Sequence, residues 1–380
     1  MVISAQEAKG GVATASINLR KVAAWRGVRV LAWDGDALYG CRRYELVCLR
    51  TTRLHAKDKA EWEPVASFRP GWWRNLTSRT RLTYRLVRDG FHALVVLEDK
   101  TMIAAVPSAI ATREPASRDF KTTHKILRGT RPLHIAAVPG GNIYWGEYFD
   151  NRERAEVHIY ASSDRGRTWD VAYTFPAGAI RHVHNIAYDR WGDCLWILTG
   201  DEGPECKVLR ACRDLGSVET LLSGSQQTRA VAAIPNKDAL YLSTDTPFEQ
   251  NHVLRLDRAC RVEKLAELTS SSIYGCHTSN ALFFSTMVEP SAANPTREVH
   301  LIGSADCANW QMLARWDKDS LPMRYFQYGN AILPDGENTT NYLAVTTIAV
   351  KHDDVVTTLW EVATDESTKP IASNAKKSLP

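Results

Sequence analysis

The sequence predicts an all-β fold: a seven-bladed β-propeller of four-stranded antiparallel blades, its ring closed by an N-terminal strand. Two observations carry that expectation. Runs of β-branched and aromatic residues recur with turn signals every ~8–12 residues, while amphipathic helical patterns are nearly absent. Taken in fours, the runs give a longer period of the ~40–50 residues that one propeller blade needs. A single domain over residues 1–362 follows, with 363–380 expected as a polar, disordered tail.

The units can be taken in order. Unit one runs from about Val28 to Arg69, with VRVLAWDG, DALYGCRRY, ELVCLRTT and EWEPVASF as its strands. Unit two, Arg81 to Leu127, is the least regular, with LTYRLVRDG and HALVVLEDK as its inner strands. Unit three spans Gly129 to Ala179, and unit four, Arg181 to Gly224, is the clearest, reading HNIAYD, CLWILTGD, KVLRAC and SVETLLS. Units five (Gln226 to Leu268) and six (Ser270 to Trp316) repeat the pattern. Unit seven begins near Pro322 with QYGNAILPDG, YLAVTTIAV and VVTTLWEV, and is one strand short. Val12 to Leu19 (VATASINL) is the natural donor, and its addition as the outer strand would remove the open sheet edge.

Unit three holds SSDRGRTW, Ser162 to Trp169, and unit six a decayed counterpart in Ser304, Asp306 and Trp310. The residue types suit a turn: the Asp carboxylate accepts backbone N–H groups, Gly takes a positive φ and Trp packs under the hairpin. This stretch resembles the Asp-box of sialidase-like, BNR-repeat β-propellers. The resemblance implies that Asp164 is structural, in a turn facing away from the active site. It also implies a glycosidase-like function, with Arg131, Arg181 and Arg229 or Arg324 clamping a substrate carboxylate, and points to the adjacent Glu147 and Tyr148 as nucleophile candidates.

Hydrophobic content of 44% and charged content of 24% belong to a globular protein, and no apolar run approaches the ~18 residues of a membrane span. The N-terminus has no basic region followed by an apolar one, so the default expectation is a cytoplasmic location. Eight scattered cysteines without a CxxC pair read as reduced strand residues. Net charge is only +4, with the basic excess confined to residues 1–100, so nucleic acid ranks low as a partner. The densest basic stretch, Arg69 to Arg88, interleaves Trp72 and Trp73 with Arg74, Arg79, Arg81 and Arg85. It reads either as a surface that binds nucleic acid or stacks on a sugar, or as a solvated loop with the Trp packed underneath.

In a propeller, inner-strand starts and second-strand ends ring one mouth of the central channel. Those positions hold Arg131, His134, Arg181, His182, His184, Arg229, His277 and Arg324, together with Glu147, Tyr148, Asp201 and Asp245. Ionisable groups converging on a concavity mark a site, and several guanidinium groups suit an acidic oligo- or polysaccharide. Hydrolysis would use Glu147 and Asp201 as a carboxylate pair. A polysaccharide lyase would neutralise a uronate with Arg or a metal and take the proton with His or Tyr. His182 and His184 point the same way along one strand, and with His134 or His277 they could hold a divalent metal. Hydrolysis ranks slightly ahead of elimination, and a non-catalytic glycan-binding or interaction propeller is the third reading.

Overall fold

A computed structural model describes residues 15–54 and 61–364. The first three residues of the expected closing strand, and the tail from 365 onward, lie outside the described residues.

The described chain is all-β, built of four-stranded antiparallel meanders whose strands follow in chain order. Unit four is representative: His182–Asp189, Cys194–Gly200, Lys207–Ala211 and Val218–Ser223. Its second strand is buried at every residue, because sheets cover both its faces. Its outer strand has no neighbour on one edge and is half-exposed. Units three, five and six form matching sheets. The meanders of units one and two merge into a nine-stranded sheet, joined where Ser67 and Phe68 pair in parallel with Asp119 and Phe120.

Each hydrophobic cluster is shared by two consecutive units. Leu31, Tyr39 and Leu46 of unit one pack with Leu94, Met102 and Ala104 of unit two, and the series continues unit by unit. It closes on itself where Tyr342, Ala344 and Leu359 of the last sheet meet Val28, Trp33 and Leu38 of the first. These interleaved layers place the inner strands side by side around a common channel, the arrangement of a β-propeller.

The last sheet takes its outer strand from the N-terminus. Ile17–Arg26 pairs antiparallel with Val356–Thr364, from Ile17 opposite Thr364 to Arg26 opposite Val356. The closing strand therefore begins five residues later than Val12 and is longer than the sequence pattern suggested.

Two expectations are corrected. LTYRLVRDG is not a strand: Arg81–Val87 is an α-helix, preceded by a second short helix, Trp72–Thr77. Thr80 caps it by accepting from the Thr83 N–H, and Arg88 ends it in the left-handed region at φ 53°. The alternation of Leu82, Tyr84 and Leu86 mimics a strand, but local capping decides the conformation. The second correction concerns QYGNAILPDG, which splits at Pro334. Asn330–Ile332 belongs to the last sheet, and Asp335–Asn338 runs parallel to Arg29–Gly35 of unit one. Proline, lacking an N–H, interrupts the ladder where the chain changes partner.

The Ser162–Trp169 turn has the expected internal chemistry. Asp164 Oδ1 accepts from the backbone of Arg167 (3.0 Å) and Thr168 (2.9 Å), and Gly166 sits at φ 79°. The counterpart at Asp306 accepts from the backbone of Ala308 and Asn309 in the same way.

Candidate active site

His182 and His184 open the inner strand of unit four, and a bulge between Val183 and Asn185 re-aims the chain at His184. Both rings are buried. Each is anchored at Nδ1 by a backbone carbonyl, His182 by Phe149 O and His184 by Ala230 O, both at 3.0 Å. A carbonyl can only accept, so each Nδ1 carries the proton and each Nε2 presents a lone pair. The two Nε2 atoms then lie 3.1 Å apart, with Asp201 Oδ1 at 3.4 Å and 3.2 Å from them. Three lone-pair donors converge on one point, an arrangement that calls for a proton or a cation between them.

The spacing suits a cation as well as a proton. Bonds of about 2.0–2.1 Å to a tetrahedral ion put neighbouring ligand atoms about 3.3–3.4 Å apart. The three observed separations fall close to that edge length, and all three ligand atoms lie within 4.8 Å of one another. Nδ1–H bonds to backbone carbonyls are also the usual way metal-binding imidazoles are oriented.

Around this cluster the charges alternate. Burial pushes the Asp201 carboxyl up, but a proton held between it and the Nε2 atoms of His182 and His184 outweighs burial and holds the group well below the usual carboxylate range. Arg181 Nη1 lies 3.1 Å from Asp201 Oδ2, and Arg229 Nη2 lies 3.3 Å from Asp201 Oδ1 and 3.4 Å from Asp245 Oδ2. Asp245 is buried, and burial first, then the nearby charges of Glu289 and Asp201, push it up to about 7 against the pull of Arg229. Tyr148 packs against His182 with ring centroids 4.3 Å apart and the planes tilted by 44°, and burial followed by Asp201 and Asp245 raises its phenol to about 12. The result is an ionised carboxylate, a carboxyl that titrates near neutrality and a protonated phenol around one cluster.

Seven of the residues singled out in the sequence thus come together: Tyr148, Arg181, His182, His184, Asp201, Arg229 and Asp245. Five do not join them. Glu147 is turned away and held by Arg128 Nε at 2.9 Å and by the His158 N–H at 2.9 Å, so it cannot pair with Asp201 across a bond. Both residues follow the end of the strand Ile143–Gly146, and Tyr148, its neighbour, faces the histidines. His134 bonds Asp335 at 3.0 Å and His277 lies 3.7 Å from Glu337. Both line a cavity of about 840 Å³ that follows the inner strands from Asn185 onward, so neither joins His182 and His184. Arg324 is exposed and lies over the Tyr325 ring at 5.6 Å. Arg131 precedes the inner strand of unit three, in the electrostatic reach of Arg29 and Arg88.

Arg29 carries no motif that would have singled it out, and Arg88 stood out only as the end of the basic stretch from Arg69. The carbonyls of Phe149 and Ala230, which settle the tautomers, leave no trace in the side-chain sequence.

No protein-family model and no curated protein matches the chain. Among solved structures it is similar to the WD40 β-propeller domain of Doa1, at 9% identity and a TM-score of 0.56, covering 91% of this chain and 97% of that one. It is also similar to a chain of the Mitotic Checkpoint Complex, at 10% identity and a TM-score of 0.54, covering 95% and 98%. These likenesses define the class by fold alone: a β-propeller.

Proposed function

We propose that this chain is a seven-bladed propeller, counting the merged meanders of units one and two as two blades, and that its mouth at unit four cleaves an acidic saccharide by elimination. The Asp-box resemblance enters this reading as a fold signature. The observation that carries the reading is the convergence of His182 Nε2, His184 Nε2 and Asp201 Oδ1 at tetrahedral spacing beside Tyr148. A divalent cation on those atoms, with zinc the best match to two imidazoles and a carboxylate, would neutralise a uronate carboxylate and acidify the adjacent C–H.

Asp245, titrating near 7, takes that proton. The electron pair forms the C=C bond, the glycosidic C–O bond breaks, and Tyr148 protonates the leaving oxygen. No water is consumed. Two groups whose surroundings drive their pKa values apart are the expected acid and base. Hydrolysis loses ground because Glu147 is tied to Arg128, and Asp201 is surrounded by His182, His184, Arg181 and Arg229 and is not free to attack.

Incubation with a panel of uronate polysaccharides and sialosides tests this, following unsaturated-uronate absorbance and new reducing ends together, with and without chelator. Elimination gives both signals and loses both on chelation. Reducing ends alone would establish hydrolysis, and neither would leave a non-catalytic propeller. That last reading is favoured by one surface, the exposed Trp72, Trp73, Leu76, Leu82 and Leu86 of the helical insertion.

A further inference from the structure

A second group of ionisable residues lies where units one to three open onto the channel. Arg29 begins the inner strand of unit one, Arg88 caps the helix leading into unit two, and Arg131 precedes the inner strand of unit three. Arg29 is 5% exposed, and its Nε and Nη2 have no hydrogen-bond partner. Among the described residues none of the three guanidinium groups has a carboxylate within ion-pair distance, and Arg131 reaches only its neighbour Thr130. The arginines of unit four and five differ: Arg181 is neutralised by Asp150 and Asp201, and Arg229 by Asp201 and Asp245.

Burial, and then Arg88 and Arg29, depress Arg131 to about 10. His92, beside the three, is held well below its usual value by burial and then by Arg131 and Arg29, so it adds no charge of its own at neutral pH. Of the three, Arg29 is out of water with Nε and Nη2 unmatched, and a buried charge without a counter-charge is costly, so the missing negative charge has to come from outside the chain.

We propose that Arg29, Arg88 and Arg131 form a binding site for a tetrahedral oxyanion, a sulfate or phosphate group, free or esterified. A single carboxylate offers two oxygens and one charge to three guanidinium groups. A sulfate or phosphate offers at least three oxygens and up to two charges, one oxygen for each planar donor fork. The site stands on the arginines alone and does not require the elimination reading.

Calorimetric titration of the full chain with inorganic phosphate, sulfate and acetate at low ionic strength tests it. The expected result is saturable binding of phosphate and sulfate, with acetate at least tenfold weaker. Arg131→Met and Arg88→Met, at the half-exposed and exposed positions where folding is least at risk, should each lower sulfate affinity about tenfold or more, the scale of a charged hydrogen bond. Arg118→Met, at an exposed arginine on the outer strand side, should leave it unchanged. No binding by the wild type, equal loss in Arg118→Met, or acetate binding as tightly as sulfate would each overturn the proposal. Because the readout is equilibrium binding, an inactive protein that still binds sulfate separates failure of the cleavage reading from failure of this one.

Discussion

Gly200 shows how closely the backbone is fitted around the histidines. A Cβ at this position would lie 2.7 Å from His184 Cε1, a contact that only movement of the ring can relieve. Gly200→Ala should therefore displace His184 from His182 and Asp201 while leaving the sheet intact, and zinc affinity measured by competition with a chromophoric chelator should fall at least tenfold. An unchanged affinity would mean that the ring position does not matter. Asp245 supplies a pH signature at the same scale. Its folded value, about 7, lies above the ordinary 3.8, so the folded state binds the proton more tightly than the unfolded chain. Protonated, it costs nothing; as pH rises from about 4 to about 7 the wild type loses stability, and above that the loss is complete. Asp245→Asn lacks this term, so its stability relative to wild type should rise through that window in denaturant titrations. Turnover that depends on ionised Asp245 should climb through about pH 7 and be absent in the variant.

At the scale of elements, the turns and the close strand contacts are testable apart from the site. Asp164 is held down to about 2 by the hydrogen bonds of Thr168, Ser162 and Arg167, which together overcome burial. Removing a carboxylate that satisfies several turn donors costs about 1–3 kcal/mol, so Asp164→Ala should shift the denaturation midpoint down without changing zinc affinity. The strands and turns were legible because period-2 patterning, Gly166 and Asp164 are local signals, and unit four matched its strands nearly residue for residue. The segment Arg81–Val87 was not, because Leu82, Tyr84 and Leu86 satisfy a strand pattern and a helix is selected only by the Thr80 cap and the burial of Arg85 beside Asp319 and Asp354. The site was half legible. Register along the repeat grouped His182, His184 and Asp201, but it could not show that Glu147 faces Arg128, or that Arg29 is buried with two unpartnered nitrogens, because both depend on where the chain runs once it leaves the strands.

At the scale of the whole molecule, stability and site both depend on the closed ring. Every hydrophobic layer joins two units, so the layer between the last and first sheets is held in place by the N-terminal strand. Deleting residues 1–26 would expose the edge of Val356–Thr364, and light scattering on heating should show aggregation well below the wild-type transition. The histidines belong to unit four and not to that seam, yet they are anchored by carbonyls of two different units, Phe149 and Ala230, so a loosened ring should weaken the cluster as well.

The most direct measurement is equilibrium dialysis of zinc against the whole chain, beside His182→Ala and His184→Ala. One ion per wild-type chain is expected, and none at the same free zinc in either variant. No ion on the wild type, or one ion retained by both variants, would contradict it.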